Sequence, residues 1–138
     1  MRAAVVFFSE GKRDKLLQIS KALASGMESQ GHTVDIVDGV HDVNTRLTVY
    51  EYIAVGTEVT STFGGKIPEK VAEYLKSSGM IGGKRAFAFV LKGRFGVDKA
   101  LARLMKVMEG EGMFLKYSEV LTSAVEATEI GKRLRIQQ

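Results

Sequence analysis

Residues 52–69 read YIAVGTEVTSTFGGKIPE and are the clearest sign of how this chain folds. An apolar run at 52–55 leads into a small polar loop that begins at Gly56, and a helical pattern restarts at Pro68. Proline suits the first turn of a helix because its missing N–H needs no intrahelical partner there. A strand that passes through such a loop into a helix is the unit of an open α/β sheet, in which ligands bind at the carboxyl ends of the strands.

The rest of the chain repeats this alternation of strand and helix. Apolar β-rich runs predict strands at 1–8, 33–37, 52–55, 84–91 and 119–122. Apolar residues at helical spacing predict helices at 12–30, 68–76, 97–109 and 126–136. Between the second and third strands, β-branched residues and Asn predict a short or irregular crossover. This alternation indicates an α/β, doubly wound, five-stranded parallel sheet with strand order 2-1-3-4-5.

Composition and charge narrow the classes of function. The chain has 138 residues, of which 45% are hydrophobic and 26% charged, so we expect a single domain, 1–138. It has no cysteine, which excludes disulfides, thiolate metal sites and cysteine catalysis. The net charge of +4 is spread along the chain without a nucleic-acid-binding motif, so no nucleic acid partner is expected. No apolar run approaches the ~20 residues of a membrane span, and the expected location is the cytoplasm.

The chain resembles the flavodoxin family over nearly its whole length. The resemblance rests on Ala54-Val55-Gly56-Thr57 with FGGKIPE at 63–69, and on EIGKRL at 129–134, which is similar to the family's last helix. Ser9 begins the first loop in the expected place, directly after the first strand. The resemblance implies a flavodoxin-like protein that binds FMN non-covalently and transfers electrons. It also implies a redox partner protein, expected to be acidic because this chain is basic, and either a monomer or a homodimer.

Carried over by position, the resemblance implies a cofactor site on three loops. The first loop would hold the FMN phosphate, since backbone N–H groups at a helix N-terminus favour an anion, and the other two loops would flank the flavin ring. The phosphate-loop candidates are Ser9, Glu10, Gly11, Lys12, Arg13 and Asp14. The ring candidates are Thr57, Glu58, Val59, Thr60, Phe63, Gly64, Lys92, Gly93, Arg94 and Phe95. Phe63 or Phe95 would either stack on the ring or fold back onto the core, and Glu58 would either accept a hydrogen bond from a ring N–H or stay solvated.

The first loop departs from the family's pattern, which is rich in Ser and Thr. Asp14 stands where a Thr would donate to phosphate, and its repulsion of a phosphate at ~5 Å would be about 3 kcal/mol at an effective dielectric near 20. An Asp at a helix start also caps backbone N–H groups, and Asp14 would then take the place of the phosphate. Three interpretations stay open: an FMN-binding electron carrier, a flavin-free interaction module of the same fold, and a small FMN-dependent quinone or substrate reductase.

Several other sites are excluded by the loops. No G-x-G-x-x-G follows the first strand, and no P-loop motif is present. The third strand ends in Gly56-Thr57 where a response-regulator receiver domain needs an Asp, and the fifth ends in Thr122-Ser123 where it needs a Lys. We interpret His32 and His41 as surface residues, because one His beside a carboxylate makes no metal site.

Overall fold

The computed structural model describes residues 1–61 and 64–137, and within these ranges the chain forms five strands and four helices. The strands are β1 (Arg2–Phe8), β2 (Thr33–Asp38), β3 (Tyr52–Thr57), β4 (Arg85–Leu91) and β5 (Phe114–Leu121). The helices are α1 (Arg13–Glu28), α2 (Lys70–Ser77), α3 (Val97–Gly110) and α4 (Ala124–Arg133). All neighbouring strands pair in parallel in the order β2-β1-β3-β4-β5, which confirms the predicted doubly wound α/β sheet.

Two apolar layers cover the two faces of the sheet. Successive side chains of a strand point to opposite faces, so Val5 and Phe7 pack beneath α1 and α4 while Val6 and Phe8 pack against α2 and α3. The three central strands are buried on both faces, which explains their unbroken apolar runs. The loops that follow these strands all emerge at one end of the sheet, where the strands have their carboxyl ends.

The fifth strand is longer than the sequence indicated. It begins at Phe114 instead of residue 119, whereas the other element bounds differ from prediction by three residues at most. β5 lies at the edge of the sheet and pairs only with β4, so polar side chains such as Lys116 and Glu119 are accommodated along it. These polar residues interrupt the apolar pattern by which a strand is recognised.

Between β2 and β3 the chain crosses the sheet without a helix, as predicted. Side chains from neighbouring elements satisfy its backbone instead. The Lys84 ammonium donates to the carbonyls of Thr48 and Tyr50 at 2.9 and 2.5 Å. The Tyr74 hydroxyl donates to the carbonyl of Thr45 at 3.0 Å. These bonds tie an irregular segment to α2 and to the turn before β4.

Helices α1 and α4 cross at a pair of glycines. A Cβ atom on Gly26 would lie 2.2 Å from the carbonyl oxygen of Thr128, and one on Gly131 would lie 2.3 Å from that of Leu23. The Gln30 side-chain amide donates to the Gly131 carbonyl at 2.7 Å. The two helices therefore meet backbone to backbone over the sheet.

One of the two histidines that we expected at the surface is buried. His32 is buried, with 7% of its surface exposed, and its Nδ1 lies 3.4 Å from the backbone nitrogen of Met1. Burial lowers the pKa of His32 below its ordinary value, and the positive charge of the Met1 amino group lowers it further. His41 does have an exposed side chain, with its Nδ1 2.9 Å from Asp38.

Candidate functional site

Three loops leave the sheet side by side at the carboxyl edge. Phe8 at the end of β1 pairs with Thr57 at the end of β3, and Thr57 pairs in turn with Val90 of β4. The Thr57 hydroxyl is fully buried and donates to the Phe8 carbonyl at 2.7 Å. The loops that follow β1 and β3 are therefore held next to each other from their first residues.

The carboxylate of Glu58 fills the loop that follows β1. One of its oxygens, Oε1, accepts hydrogen bonds from the Ser9 hydroxyl at 2.9 Å, the Glu10 N–H at 2.5 Å and the Gly11 N–H at 2.8 Å. The other oxygen, Oε2, accepts from the Lys12 N–H at 2.9 Å. Glu58 is only 3% exposed. Four donors of one loop therefore converge on a single side chain from the neighbouring strand.

This arrangement is an anion site whose anion belongs to the chain itself. Backbone N–H groups that converge just before a helix N-terminus form a concavity for negative charge, and the helix dipole adds to it. The N-cap residue of α1 is Lys12, and no side chain caps the helix at that position. Glu58 supplies the missing acceptor from outside the helix, through hydrogen bonds that its charge strengthens.

Two sequence-based expectations about this loop are wrong. One of the two interpretations of Asp14 was that it caps α1 in place of a phosphate, but Asp14 lies exposed in the first turn and Glu58 takes that place. Glu58 was expected either to face a flavin ring or to be solvated, but its carboxylate is buried and turns toward the loop after β1. The available signal was the position of Glu58 directly after β3, because strand order 2-1-3 brings that position beside the first loop.

The Arg13 side chain, at the start of α1, contacts residues of β1 and β2. The Arg13 Nε lies 3.1 Å from the Asp38 carboxylate at the end of β2, and the guanidinium lies 5.8 Å from the centre of the Phe7 ring. Burial alone would raise the pKa of Asp38, but hydrogen bonds from the His41 ring, the Val40 and His41 N–H groups and Arg13 hold it below its ordinary value. The Glu10 and Lys12 side chains are exposed.

The loop after β3 closes on itself. The Thr60 N–H donates to the Lys66 carbonyl at 2.8 Å, and the Lys66 N–H donates to the Ser61 hydroxyl at 3.1 Å. Val59 is half-buried and packs against the core on the α2 and α3 side, whereas Thr60 is exposed. Phe63, one of the two aromatic candidates, lies outside the described residues.

The loop after β4 borders a separate, open cavity of about 700 Å³. Four candidate residues line it, namely Lys92, Gly93, Arg94 and Phe95. Half of the Phe95 surface is exposed, and Gly64 of the neighbouring loop is exposed as well. Within residues 1–61 and 64–137, no three His, Asp or Glu side chains are grouped so that they could hold a metal ion. No helix in the same ranges has the length and apolar character needed to span a bilayer.

Comparison with known proteins identifies the fold. No protein-family model and no curated sequence matches the chain. Among solved structures, a flavodoxin from the domain Archaea has a TM-score of 0.72 and 19% identity, covering 96% of this chain and 94% of that chain. Flavodoxin 1 from Bacillus cereus has a TM-score of 0.68 and 16% identity, covering 96% and 99%. The flavodiiron protein from Giardia intestinalis has a TM-score of 0.65 and 17% identity, covering 96% of this chain and 35% of that chain. These likenesses confirm the flavodoxin-like fold expected from the sequence.

Proposed function

We propose that this chain is a flavodoxin-like domain that works without FMN as a resident cofactor and serves as an interaction module for an acidic partner. The observation that supports this proposal is the buried Glu58 carboxylate, which accepts hydrogen bonds from Ser9 and from three backbone N–H groups of the first loop. An FMN phosphate held in this loop would need the same donors. The residues of the loop, as they are arranged, do not fit that phosphate.

The electrostatics of the loop oppose a second anion. A phosphate placed beside the Glu58 carboxylate would meet a like charge at contact distance, which is unfavourable by several kcal/mol at the effective dielectric of a partly buried site. Phosphate binding therefore requires Glu58 to leave the loop and to be solvated elsewhere. Its departure would break the four hydrogen bonds that hold the loop to β3.

FMN-dependent electron transfer is the second candidate function. It is favoured by the likeness to solved flavodoxins and by the loop itself, because three N–H groups and the Ser9 hydroxyl are donors suited to a phosphate once Glu58 has moved. A bound flavin would supply the redox chemistry, and the chain would hold and orient it. The electron carrier and the small quinone or substrate reductase both depend on this movement of Glu58.

An FMN titration followed by flavin fluorescence separates the two functions. We expect no saturable quenching by the unaltered chain up to about 100 μM FMN, and binding at least about tenfold tighter by the Glu58→Ala variant. Glu10→Ala is the matched control, because it removes the same charge from an exposed side chain of the same loop. Stoichiometric binding of FMN by the unaltered chain at micromolar concentration would instead establish the second function.

The acidic partner is inferred from a basic groove of about 1250 Å³ beside the loop after β3. Its cationic lining residues are Lys66, Lys70, Arg103 and Lys106, and its acidic ones are Glu10 and Glu69. We expect a fluorescent polyglutamate peptide to bind more weakly to an Arg103→Ser/Lys106→Ser variant than to the unaltered chain. Lys15→Ser/Lys21→Ser, which removes two exposed cations of α1, should leave the anisotropy titration unchanged. Equal weakening by both variants would show that net charge alone is responsible.

A further inference from the structure

A second cavity, of about 390 Å³, lies at the opposite end of the sheet from Glu58. It opens between β5 and the C-terminal end of α4, above the first residue of β3. The residues that line it are Tyr52, Lys116, Tyr117, Ile130, Arg133, Leu134 and Arg135. No residue of the three loops at the carboxyl ends of the strands lines this cavity. Ligand binding in the cavity is therefore independent of the function proposed for those loops.

The floor of this cavity carries an unpartnered phenol. Tyr52 is completely buried, and its hydroxyl has no hydrogen-bond partner among the described residues. A buried Tyr hydroxyl usually finds a partner, because leaving it unpaired is unfavourable. Tyr52 is one of the lining residues, so its hydroxyl has an unused donor just beneath a cavity that has room for an acceptor.

An arginine lies beside this phenol in the sheet. Arg85, the first residue of β4, pairs in register with Tyr52, so both side chains lie on the face covered by α1 and α4. Its Nη1 is also buried without a hydrogen-bond partner among the described residues. Burial raises the pKa of Tyr52, and the nearby Arg85 guanidinium lowers it by a smaller amount. The floor thus combines a neutral hydroxyl donor with a positive charge next to it.

The rim of the cavity adds three cations. Arg133 is the last residue of α4, and Arg135 follows two residues later. Lys116 comes from β5, where its ammonium also lies 4.9 Å from the centre of the Phe114 ring. The pairing of β4 with β5 shifts register between Ala86 and Phe87, and such a bulge redirects the side chains of the bulged strand. Of the described residues that line the cavity, none is acidic.

The walls are apolar and set the shape of the ligand. Tyr117, Ile130 and Leu134 contribute them, and the Tyr117 ring stacks at 5.7 Å on Phe87 beneath it. A ligand of mixed character fits this lining, with one charged end and an apolar body. The nearby C-terminal end of α4 carries partial negative charge, which repels a dianionic phosphate more strongly than a singly charged carboxylate.

We propose that this cavity binds a small organic carboxylate whose charged end accepts a hydrogen bond from the Tyr52 hydroxyl. Arg85 supplies the compensating charge behind the phenol, and the cations at the rim attract the anion to the opening. The apolar body of the ligand packs between Tyr117, Ile130 and Leu134.

An NMR titration of the ¹⁵N-labelled full chain with sodium benzoate tests this site, with benzamide as the neutral probe of the same shape. We expect saturable shifts at the amides that line the cavity and binding of benzoate at least about tenfold tighter than that of benzamide. Tyr52→Phe should weaken benzoate about fivefold or more, whereas Tyr50→Phe, whose hydroxyl donates to Asp35 elsewhere, should not. Unsaturable shifts, or equal binding of both probes, would overturn the proposal.

Substitutions at two exposed residues test the site without changing the buried core. Arg133→Ala removes a rim cation, and Lys132→Ala removes the next cation of the same helix, which does not line the cavity. We expect Arg133→Ala alone to weaken benzoate binding. Equal affinity in both variants, together with full affinity in folded Tyr52→Phe, would show that the cavity is not an anion site.

Discussion

Gly131 of α4 faces Gly26 of α1 so closely that a Cβ atom on Gly131 would lie 3.0 Å from the Gly26 Cα and 2.3 Å from the Leu23 carbonyl oxygen. We expect Gly131→Ala to lower the free energy of unfolding by about 2–3 kcal/mol, because the two backbones must separate to admit one methyl group. Urea denaturation measures the loss. Gly110→Ala is the control, since a Cβ there meets nothing within 4 Å and replaces glycine in a helix. Equal stability of both variants would show that the helices can move apart freely.

Removing the Glu58 side chain should leave a loop that dissolved anions can stabilise. Glu58→Ala takes away the acceptor of four hydrogen bonds, so we expect a loss of about 2–4 kcal/mol in thermal or urea denaturation. Inorganic phosphate should restore part of this stability in proportion to the logarithm of its concentration, because it binds only the folded state. The same additions should shift the unaltered chain and Glu10→Ala much less. A phosphate effect equal in all three proteins would contradict a specific site.

Asp38 should account for part of the loss of stability in acid. Its pKa lies below the ordinary value in the folded chain, so its ionised form stabilises the fold above about pH 4, and this contribution is lost as the pH falls further. We expect Asp38→Asn to lower the free energy of unfolding by about 1–3 kcal/mol at pH 7, and by less at pH 3. Glu109→Gln, at an exposed position of α3, should change little at either pH. A difference between Asp38→Asn and the unaltered chain that stays constant with pH would contradict this account.

Tyr74 should make the chain sensitive to alkali. Burial, together with smaller effects of the charges of Asp42 and Tyr50, raises the pKa of Tyr74 to about 12. The folded state therefore holds the neutral phenol, whose stabilising effect is complete below pH 10 and declines as the pH rises from 10 toward 12. Tyr74→Phe removes the hydrogen bond to Thr45, which should lower the free energy of unfolding by about 0.5–1.5 kcal/mol at pH 8. Between about pH 9 and 11, however, the stability of the variant should fall less with pH than that of the unaltered chain. Parallel stability curves for the two proteins would show that Tyr74 does not titrate with unfolding.

The sheet order could be predicted because the strands that set it are buried on both faces. Val5, Phe7 and their neighbours read as one apolar run, and the same holds for β3 and β4. β5 lies at the edge of the sheet, where polar residues such as Lys116 are tolerated. These residues interrupt the apolar pattern of its first half, so that half was not predicted as strand. A strand that is buried on both faces can therefore be recognised from its sequence, whereas an edge strand with polar residues is harder to recognise.

The content of the first loop could not be predicted from its own residues. The Ser9 hydroxyl and the N–H groups beside it mark an anion site, but Glu58, which fills it, is 46 to 49 residues away in the chain. The sequence neighbourhood of the loop pointed to an acid at the start of the next helix, Asp14, which is exposed. The cavity above Tyr52 was missed for the same reason, since its walls come from β3, β5 and α4, which are brought together only by the fold.

The acceptor that fills the loop after β1 is part of the same chain. A carboxylate attached directly after the adjacent strand meets its donors within the same molecule, and it cannot diffuse away. The donors of the loop are thus already occupied by Glu58 in the folded chain. The shape of this loop should therefore not depend on how much phosphate or nucleotide surrounds the chain.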